Sequence, residues 1–290
     1  MQNSTKNINR ERMTLLQQAQ TFFRENRSHP KKQLGQHFLI NPDVLDIIVE
    51  AGEVTKSDVV IEIGAGLGCL TEALAEQANT VIAVEVDPIL YNELEYQFAN
   101  SDNIKVIQED ILDVEFSSLI PQGTSPKIIA NLPYGITTPI LWKLIEYSNQ
   151  LSQCILMMQW EVAERIAANP GGKEYGALTI GISYYADTNL IARLSPENFY
   201  PSPKVDSALL KLTMHDHPRV EVNDEEHFFR VVREAFRGRR KMLKNSLRRF
   251  ASTEKLTTTF SELDIAPQRR AETLDIAEFA ALANLLQTNV

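Results

Sequence analysis

Apolar strands alternate with helices through the middle of this 290-residue chain. Five runs rich in valine, isoleucine and leucine are predicted to be strands, and most of the runs between them have helical spacing. Strands that alternate with helices form a parallel sheet covered on both faces, and such sheets bind ligands at the carboxyl ends of their strands. We therefore predict an α/β fold. The predicted strands lie within residues 58–68, 80–87, 103–110, 127–134 and 153–159.

The segments on either side of this region have different patterns. Residues 1–30 are polar, with only a weak helical pattern. Two further runs, at 176–186 and 207–214, resemble strands, and beyond them apolar residues recur at helical spacing. We predict three regions: an N-terminal extension at 1–30, a sheet domain at 31–215 and a small helical domain at 216–290.

Composition excludes several classes of protein. Hydrophobic residues at 43% and charged residues at 23% are ordinary globular usage, which argues against wholesale disorder. The longest apolar runs have five residues, whereas a membrane-spanning helix needs about 20. The N-terminus lacks the apolar stretch of a secretory signal, and Cys69 and Cys154 form no CxxC motif. We expect a soluble, cytoplasmic protein with no membrane partner.

A glycine-rich turn follows the first predicted strand. The segment reads Glu62-Ile-Gly64-Ala-Gly66-Leu-Gly68, and glycines there let a ligand approach main-chain amides at the start of the next helix. A dinucleotide fold would have GxGxxG, but the third glycine of that pattern would fall at Cys69. The GxGxG spacing after an acidic residue resembles the first motif of S-adenosylmethionine-dependent methyltransferases. A structural turn that binds no ligand is the alternative.

Carboxylates stand at the ends of the next two predicted strands. Glu85 lies 21 residues beyond Gly64, where a carboxylate accepts hydrogen bonds from both hydroxyls of a ribose in nucleotide-binding folds. Asp110 ends the third strand and is placed to accept a hydrogen bond from an adenine amino group. Taken singly, either residue could be a solvated strand end. Three consecutive strands that end in ligand-suited groups favour a cofactor site with Gly64, Gly66, Glu85 and Asp110.

The fourth predicted strand ends in Asn131-Leu132-Pro133-Tyr134. An adenine N6 amino group is a poor nucleophile because its lone pair is delocalised into the ring. The Asn131 side-chain oxygen and the Leu132 carbonyl can accept the two N6 hydrogens and favour a pyramidal nitrogen. Pro133 fixes the turn, and Tyr134 offers an aromatic face for an extruded base. This transfer requires no metal or strong base, because the leaving group is a neutral thioether. The alternative is a surface turn.

These motifs together resemble the ribosomal RNA adenine N6-dimethyltransferases of the KsgA (RsmA) type, from about Lys32 to Leu274. The resemblance implies a Rossmann-like class I methyltransferase sheet with a small C-terminal helical domain, and S-adenosylmethionine as cofactor. It assigns His37 and Leu39, within Leu34-Gly35-Gln36-His37-Phe38-Leu39, to a segment that closes over the cofactor. His37 stands where the family usually has asparagine. Asn131 is also assigned a cofactor contact, and Phe199 the far wall of the base pocket.

Charge is distributed unevenly along the chain. The net charge is −9, yet residues 230–249 contain nine lysines and arginines against the single acidic residue Glu234. We interpret this segment as binding RNA phosphates, with a solvated helical face as the alternative. The resemblance implies methylation of two adjacent adenines in a hairpin loop near the 3′ end of 16S rRNA, within the small ribosomal subunit or its precursor, by a monomer during ribosome biogenesis.

Three other functions compete with this interpretation. An Erm-type methyltransferase would act on large-subunit RNA, and an assembly or transcription factor would retain the fold and the RNA contacts with incidental catalysis. The runs Phe199–Ser207 and Arg269–Glu272 favour the small-subunit family. A DNA adenine methyltransferase is disfavoured because nothing in the sequence resembles a base-reading domain.

Overall fold

The computed structural model describes residues 13–238 and 241–287. The chain divides into two compact units, one formed by residues 1–163 and 189–214 and the other by residues 164–188 and 215–290. The sequence had suggested a single boundary near residue 215. The structure places 164–188 with the C-terminal helices because apolar residues of this segment belong to their core.

Nine strands form two sheets in the described parts of the chain. A two-stranded antiparallel sheet pairs β1 with β8, and a seven-stranded sheet has the order β4-β3-β2-β5-β6-β9-β7. The strands are β1 (Phe38–Leu39), β2 (Val59–Ile63), β3 (Thr80–Glu85), β4 (Ile104–Gln108), β5 (Lys127–Asn131), β6 (Gln153–Gln159), β7 (Ala186–Leu194), β8 (Phe199–Tyr200) and β9 (Ser207–Met214).

The large sheet is parallel from β4 through β6, and β9 pairs with β6 in the antiparallel direction. All five residues of β2 are buried, as expected for a central strand of a sheet covered on both faces. The chain order proceeds outward from β2 to β4 and then returns to β5 on the other side of β2. This reversal creates a crevice beyond the carboxyl ends of β2 and β5, where open α/β sheets bind ligands.

The α-helices begin where side chains can satisfy free backbone N–H groups. Thr14, Asn41, Asp87 and Asp224 each accept a hydrogen bond from the first turn of the helix that follows them. The helices are α1 (Leu15–Glu25), α2 (Pro42–Gly52), α3 (Cys69–Gln77), α4 (Pro88–Phe98), α5 (Thr137–Glu146), α6 (Trp160–Ile166), α7 (Ala177–Tyr185), α8 (Glu225–Phe236), α9 (Leu243–Ser246), α10 (Thr253–Glu262) and α11 (Ile276–Leu286).

The strand predicted at 176–186 was wrong, because this segment forms α7. Its run of apolar and aromatic residues suits a buried strand as well as a buried helix, and periodicity alone does not separate the two. The helix begins after Gly176, whose N–H donates to the Thr179 hydroxyl. Because α7 is apolar nearly all round, it requires burial on most of its surface. In the second unit its Ile180 and Tyr184 pack in one cluster with Phe228 of α8 and Phe279 of α11.

The polar N-terminal region contains an ordered helix. Ala19, Phe22 and Phe23 on one face of α1 pack in a cluster with Phe38 and Leu67 in the first unit. The weak helical pattern of this region is therefore a real amphipathic helix, and the part of the predicted extension at residues 1–12 lies outside the described residues. No helix in the described parts of the chain is long and apolar enough to cross a membrane.

Candidate active site

A cavity opens at the carboxyl edge of β2, β3 and β5 in the first unit. Nine of the eleven residues predicted to form the site line it. Parallel strands end at a common edge, so that side chains far apart in the chain converge there. The nine residues are His37, Leu39, Gly64, Gly66, Glu85, Asn131, Leu132, Pro133 and Tyr134.

The glycine turn brings the backbone against a buried carboxylate. Gly64 and Gly66 both have positive φ, at 74° and 60°, which an L side chain would strain. The Gly66 N–H donates to Glu85 Oε2 at 2.9 Å. A Cβ at position 66 would lie 3.2 Å from the Phe38 ring, a tight contact that adds to the strain of the positive φ. Glu85 itself is 5% exposed, and burial raises the pKa of its carboxyl against the hydrogen bonds from Asp87 and Gly66.

Glu62, the acidic residue before the glycine turn, lines the same cavity and is buried. Its Oε2 accepts a hydrogen bond from the Thr71 hydroxyl. Burial raises the pKa of Glu62 to about 8; the Thr71 hydrogen bond opposes this shift and the negative charge of Glu85 adds to it. The carboxyl is therefore mostly neutral in the folded protein near neutral pH.

We expect Glu62→Gln to flatten the dependence of stability on pH. The folded-state pKa of about 8 exceeds the ordinary value of 4.5. The folded state therefore keeps a proton that the unfolded state releases. This contribution to stability is complete below the unfolded-state pKa of 4.5 and is lost as the pH rises through the folded-state pKa of about 8. The glutamine variant keeps an acceptor for Thr71 and does not titrate. Melting temperatures measured from about pH 5 to about pH 9 should fall less in the variant than in the wild type; parallel curves would contradict this assignment.

Two oxygens at the end of β5 receive no hydrogen bond from residues 13–238 or 241–287. Asn131 Nδ2 donates to the His37 carbonyl at 2.8 Å, which fixes the orientation of the amide and turns its Oδ1 away from that carbonyl. The Leu132 N–H donates to the Met157 carbonyl at 2.9 Å. Within the described residues, no hydrogen bond is donated to Asn131 Oδ1 or to the Leu132 carbonyl. Both oxygens can accept hydrogens from a ligand.

The aromatic group of this motif is held from two sides. The Tyr134 hydroxyl hydrogen-bonds to the Ser207 hydroxyl at the start of β9. The His37 ring lies against the Tyr134 ring, with centroids 5.1 Å apart, and His37 Nδ1 donates to the Pro201 carbonyl at 2.6 Å. The segment 199–207 thus fixes both rings. A role for the His37 side chain in cofactor binding stays a prediction.

Two predicted site residues do not line the cavity. Asp110 was expected at the end of its strand, but β4 ends at Gln108, and the side chain of Asp110 accepts from the Leu112 N–H at 2.9 Å. Phe199 is 2% exposed and packs in the apolar core of the first unit, and its backbone pairs with Leu39. The adenine contact of Asp110 and the base-pocket wall at Phe199 therefore remain predictions.

Sequence reasoning missed the contribution of the N-terminal helix. Leu15 and Gln18 of α1 line the cavity together with Leu67 and Leu90. The available signal was the amphipathic spacing of the apolar residues in α1, which indicates that one face is covered. The polar composition of the surrounding segment hid this signal.

Basic residues gather around a depression in the second unit. Arg237, Lys241, Arg248 and Arg249 line it, and the only acidic residue among the lining residues is Glu234. Glu234 lies 3.4 Å from Arg237 and 4.0 Å from Arg249. Lys241 and Arg248 have no acidic partner among the residues that the structure describes. Arg239 and Arg240 of the predicted basic segment lie outside the described residues.

Comparison with known proteins identifies the family. A family model described as ribosomal RNA adenine dimethylase matches residues 27–288. The chain belongs to this family. A relative from Moorella thermoacetica, named ribosomal RNA small subunit methyltransferase A, is 42% identical over 273 residues, which cover 91% of this chain and 95% of the relative. A relative of the same name from Clostridium acetobutylicum is 44% identical and covers 87% of this chain and 92% of its own length.

Solved structures of adenine dimethylases and related enzymes share the fold. A dimethyladenosine transferase from Plasmodium falciparum has a TM-score of 0.74 and 27% identity over 85% of this chain and 96% of its own. The 23S rRNA methyltransferase ErmE has a TM-score of 0.67 and 25% identity over 86% of this chain and 99% of its own. The family, the α/β fold with a C-terminal helical region and the methyltransferase class are thus confirmed.

Proposed function

We propose that this protein transfers methyl groups from S-adenosylmethionine to N6 of two adjacent adenines in a hairpin loop near the 3′ end of 16S rRNA, two methyl groups per adenine. The substrate is the RNA within the small ribosomal subunit or its precursor. The observation that carries the proposal is a pair of oxygens, Asn131 Oδ1 and the Leu132 carbonyl, that receive no hydrogen bond from the residues that the structure describes and line the same cavity as Glu85. The names of the relatives support the choice of RNA.

The cavity fits the proposed cofactor on structural grounds. Glycine at position 66 leaves open the space that a Cβ would fill beside Phe38, and it lets main chain approach a ligand. Glu85 presents a buried carboxylate that can accept from ribose hydroxyls in addition to its two backbone donors. Gly64, Gly66, Glu85 and Leu39 would hold S-adenosylmethionine. When bound, this cofactor would supply a methyl group activated by a sulfonium.

The residues of this chain would prepare the adenine. Asn131 Oδ1 and the Leu132 carbonyl would accept one N6 hydrogen each, which favours a pyramidal nitrogen with an available lone pair. The His37 carbonyl keeps the Asn131 oxygen directed away from itself, since it holds the amide nitrogen. Tyr134, held by Ser207, would stack on the extruded base. The proton would leave to water after transfer, and positioning would supply most of the rate.

The basic depression of the second unit would bind RNA phosphates. Exposed arginines and lysines that bind RNA phosphates displace the counterions condensed on the RNA. Release of these counterions strengthens association at low salt. We further propose that the protein acts as a monomer in the cytoplasm.

One assay tests this function against its competitors. The protein is incubated with methyl-labelled S-adenosylmethionine and one of three substrates: unmethylated small subunits, large-subunit RNA or duplex DNA. We expect label in N6-dimethyladenine of the small-subunit RNA alone. Label in large-subunit RNA would instead support an Erm-type activity. Tight binding to small subunits without label would support an assembly factor and overturn the proposed catalysis.

A further inference from the structure

Asp87 lies two residues beyond the proposed ribose-binding residue and is almost completely buried. Its residue exposure is 3%, and its backbone N–H donates to Glu85 Oε1 at 2.8 Å. Its Oδ1 accepts from the Ile89 N–H at 3.0 Å and so caps α4. A helix cap needs only an acceptor oxygen, which asparagine supplies equally well. The negative charge of Asp87 therefore calls for a further explanation.

The charge of Asp87 faces the segment 31–37. Lys31 Nζ lies 2.9 Å from Asp87 Oδ1, and Gln36 Nε2 donates to Asp87 Oδ2 at 3.1 Å. The Lys31 backbone N–H in turn donates to Gln36 Oε1 at 2.7 Å, which closes a ring of contacts through Asp87, Gln36 and Lys31. Between these two contacts the chain turns through Gly35, which has a φ of 61°. Asp87 thus holds both ends of this turn.

The same segment reaches the other end of the proposed site. His37 follows Gln36 directly, and its carbonyl accepts from Asn131 Nδ2 at 2.8 Å. The segment therefore connects the loop after β3, next to Glu85, with the last residue of β5. Gln36 and His37 also line the cavity, which places this connection over the proposed cofactor site.

We propose that Asp87 is a positioning residue that sets cofactor affinity: its ion pair with Lys31 and its hydrogen bond from Gln36 hold the segment 31–37 over the cavity beside Glu85. This inference rests on the proposed cofactor site. Asp87 acts through the segment and through Glu85, and it is distinct from the groups that orient the adenine.

Electrostatics favour a charged Asp87. Burial alone would raise the pKa of this carboxyl, but the hydrogen bonds from Lys31, Gln36 and the Ile89 N–H, together with the charge of Lys31, hold the pKa below its ordinary value. The Asp87 side chain is 4% exposed and that of Lys31 is 38% exposed, so solvent screens the pair from one side only. Removing Lys31 would leave a buried carboxylate without its cation, which favours release of the segment.

The test uses four variants of the full-length protein. Asp87→Asn keeps the helix cap and removes the negative charge. Lys31→Met removes the cation and keeps the aliphatic part of the side chain. The third variant combines both changes, and Lys31→Arg keeps a cation. We expect each of the first two to raise the dissociation constant and the KM for S-adenosylmethionine by about 10-fold, as loss of one charge-assisted hydrogen bond does. At saturating cofactor, kcat should stay within about twofold, since uniform binding is lost.

The double variant tests whether the two residues act as one unit. Because the same ion pair is absent from both single variants, we expect the double variant to bind cofactor no more than about twofold more weakly than either of them. Lys31→Arg should recover most of the wild-type affinity. Segment release also predicts faster trypsin cleavage after Lys31 and Lys32 in Asp87→Asn.

A matched control comes from the opposite edge of the same sheet. Lys127 Nζ lies 3.0 Å from Asp58 Oδ2, with side-chain exposures of 12% and 23%. As for Asp87, burial would raise the pKa of Asp58, and hydrogen bonds led by that from its lysine hold it below its ordinary value. Lys127→Met and Asp58→Asn should lower the melting temperature and leave the cofactor dissociation constant unchanged.

The outcomes separate this inference from the proposed function. A folded wild-type protein that fails to bind S-adenosylmethionine would overturn both. If the wild type binds and Asp87→Asn binds equally well, only the positioning role is overturned. If the double variant binds S-adenosylmethionine about 100-fold more weakly than the wild type, the two losses of affinity are independent, and Lys31 and Asp87 do not act as a pair.

Discussion

We expect Asn131→Ala to lower kcat by about 100-fold or more. This is the usual cost of removing one hydrogen-bonding group, here the Asn131 side-chain oxygen, that acts mainly in the transition state. The expected change in the dissociation constant for S-adenosylmethionine is smaller, because Glu85 is kept and Asp87 still holds the segment 31–37 after the contact with the His37 carbonyl is lost. Stopped-flow or single-turnover methylation of small subunits gives the first quantity. Isothermal titration with the cofactor gives the second.

Asn131→Asp provides the matched control. Aspartate keeps an oxygen for the adenine hydrogen but loses the amide group that donates to the His37 carbonyl. We expect it to retain more turnover than Asn131→Ala. An equal loss of turnover in both variants would mean that the contact with His37 matters more than the oxygen. Equal losses of turnover and cofactor affinity in Asn131→Ala would contradict the assigned role.

Much of the site could be predicted because it depends on backbone geometry that the sequence encodes locally. The glycine turn follows an apolar strand, and Glu85 and Asn131 are the last residues of two others, so that parallel pairing brings the three ends together. No long-range information was needed beyond the rule that such strands lie side by side. The same reasoning placed the predicted site at this edge of the sheet, where the structure has a cavity.

The features that the sequence did not reveal depend on contacts between distant segments. Asp87 was predicted only as the last residue of the strand run 80–87, because nothing near it in the sequence indicates its pairing with Lys31. The position of the His37 ring depends on Pro201, which lies 164 residues away. The segment that forms α7 was wrongly predicted because its burial in the second unit, rather than its propensity, determines its structure.

The second large effect concerns the basic depression. We expect reversal of Lys241, Arg248 and Arg249 to glutamate to weaken binding of the RNA substrate by about 100-fold or more at physiological salt, if each residue contacts one phosphate. The slope of log affinity against log salt should become shallower by about two to three units for the same reason. Filter binding of small-subunit RNA over a series of salt concentrations measures both quantities.

A second triple variant distinguishes the effect of net charge from that of local contacts with RNA phosphates. Lys56, Lys105 and Lys173 lie outside the basic segment, and their reversal to glutamate changes the total charge by the same amount. Screening limits the reach of each charge to about 8 Å at physiological salt, so this control should bind RNA nearly as tightly as the wild type. Cofactor affinity should be unchanged in both triple variants. If both weaken RNA binding equally, overall charge governs association; if only the reversal at 241, 248 and 249 also loses cofactor binding, that segment has a structural role.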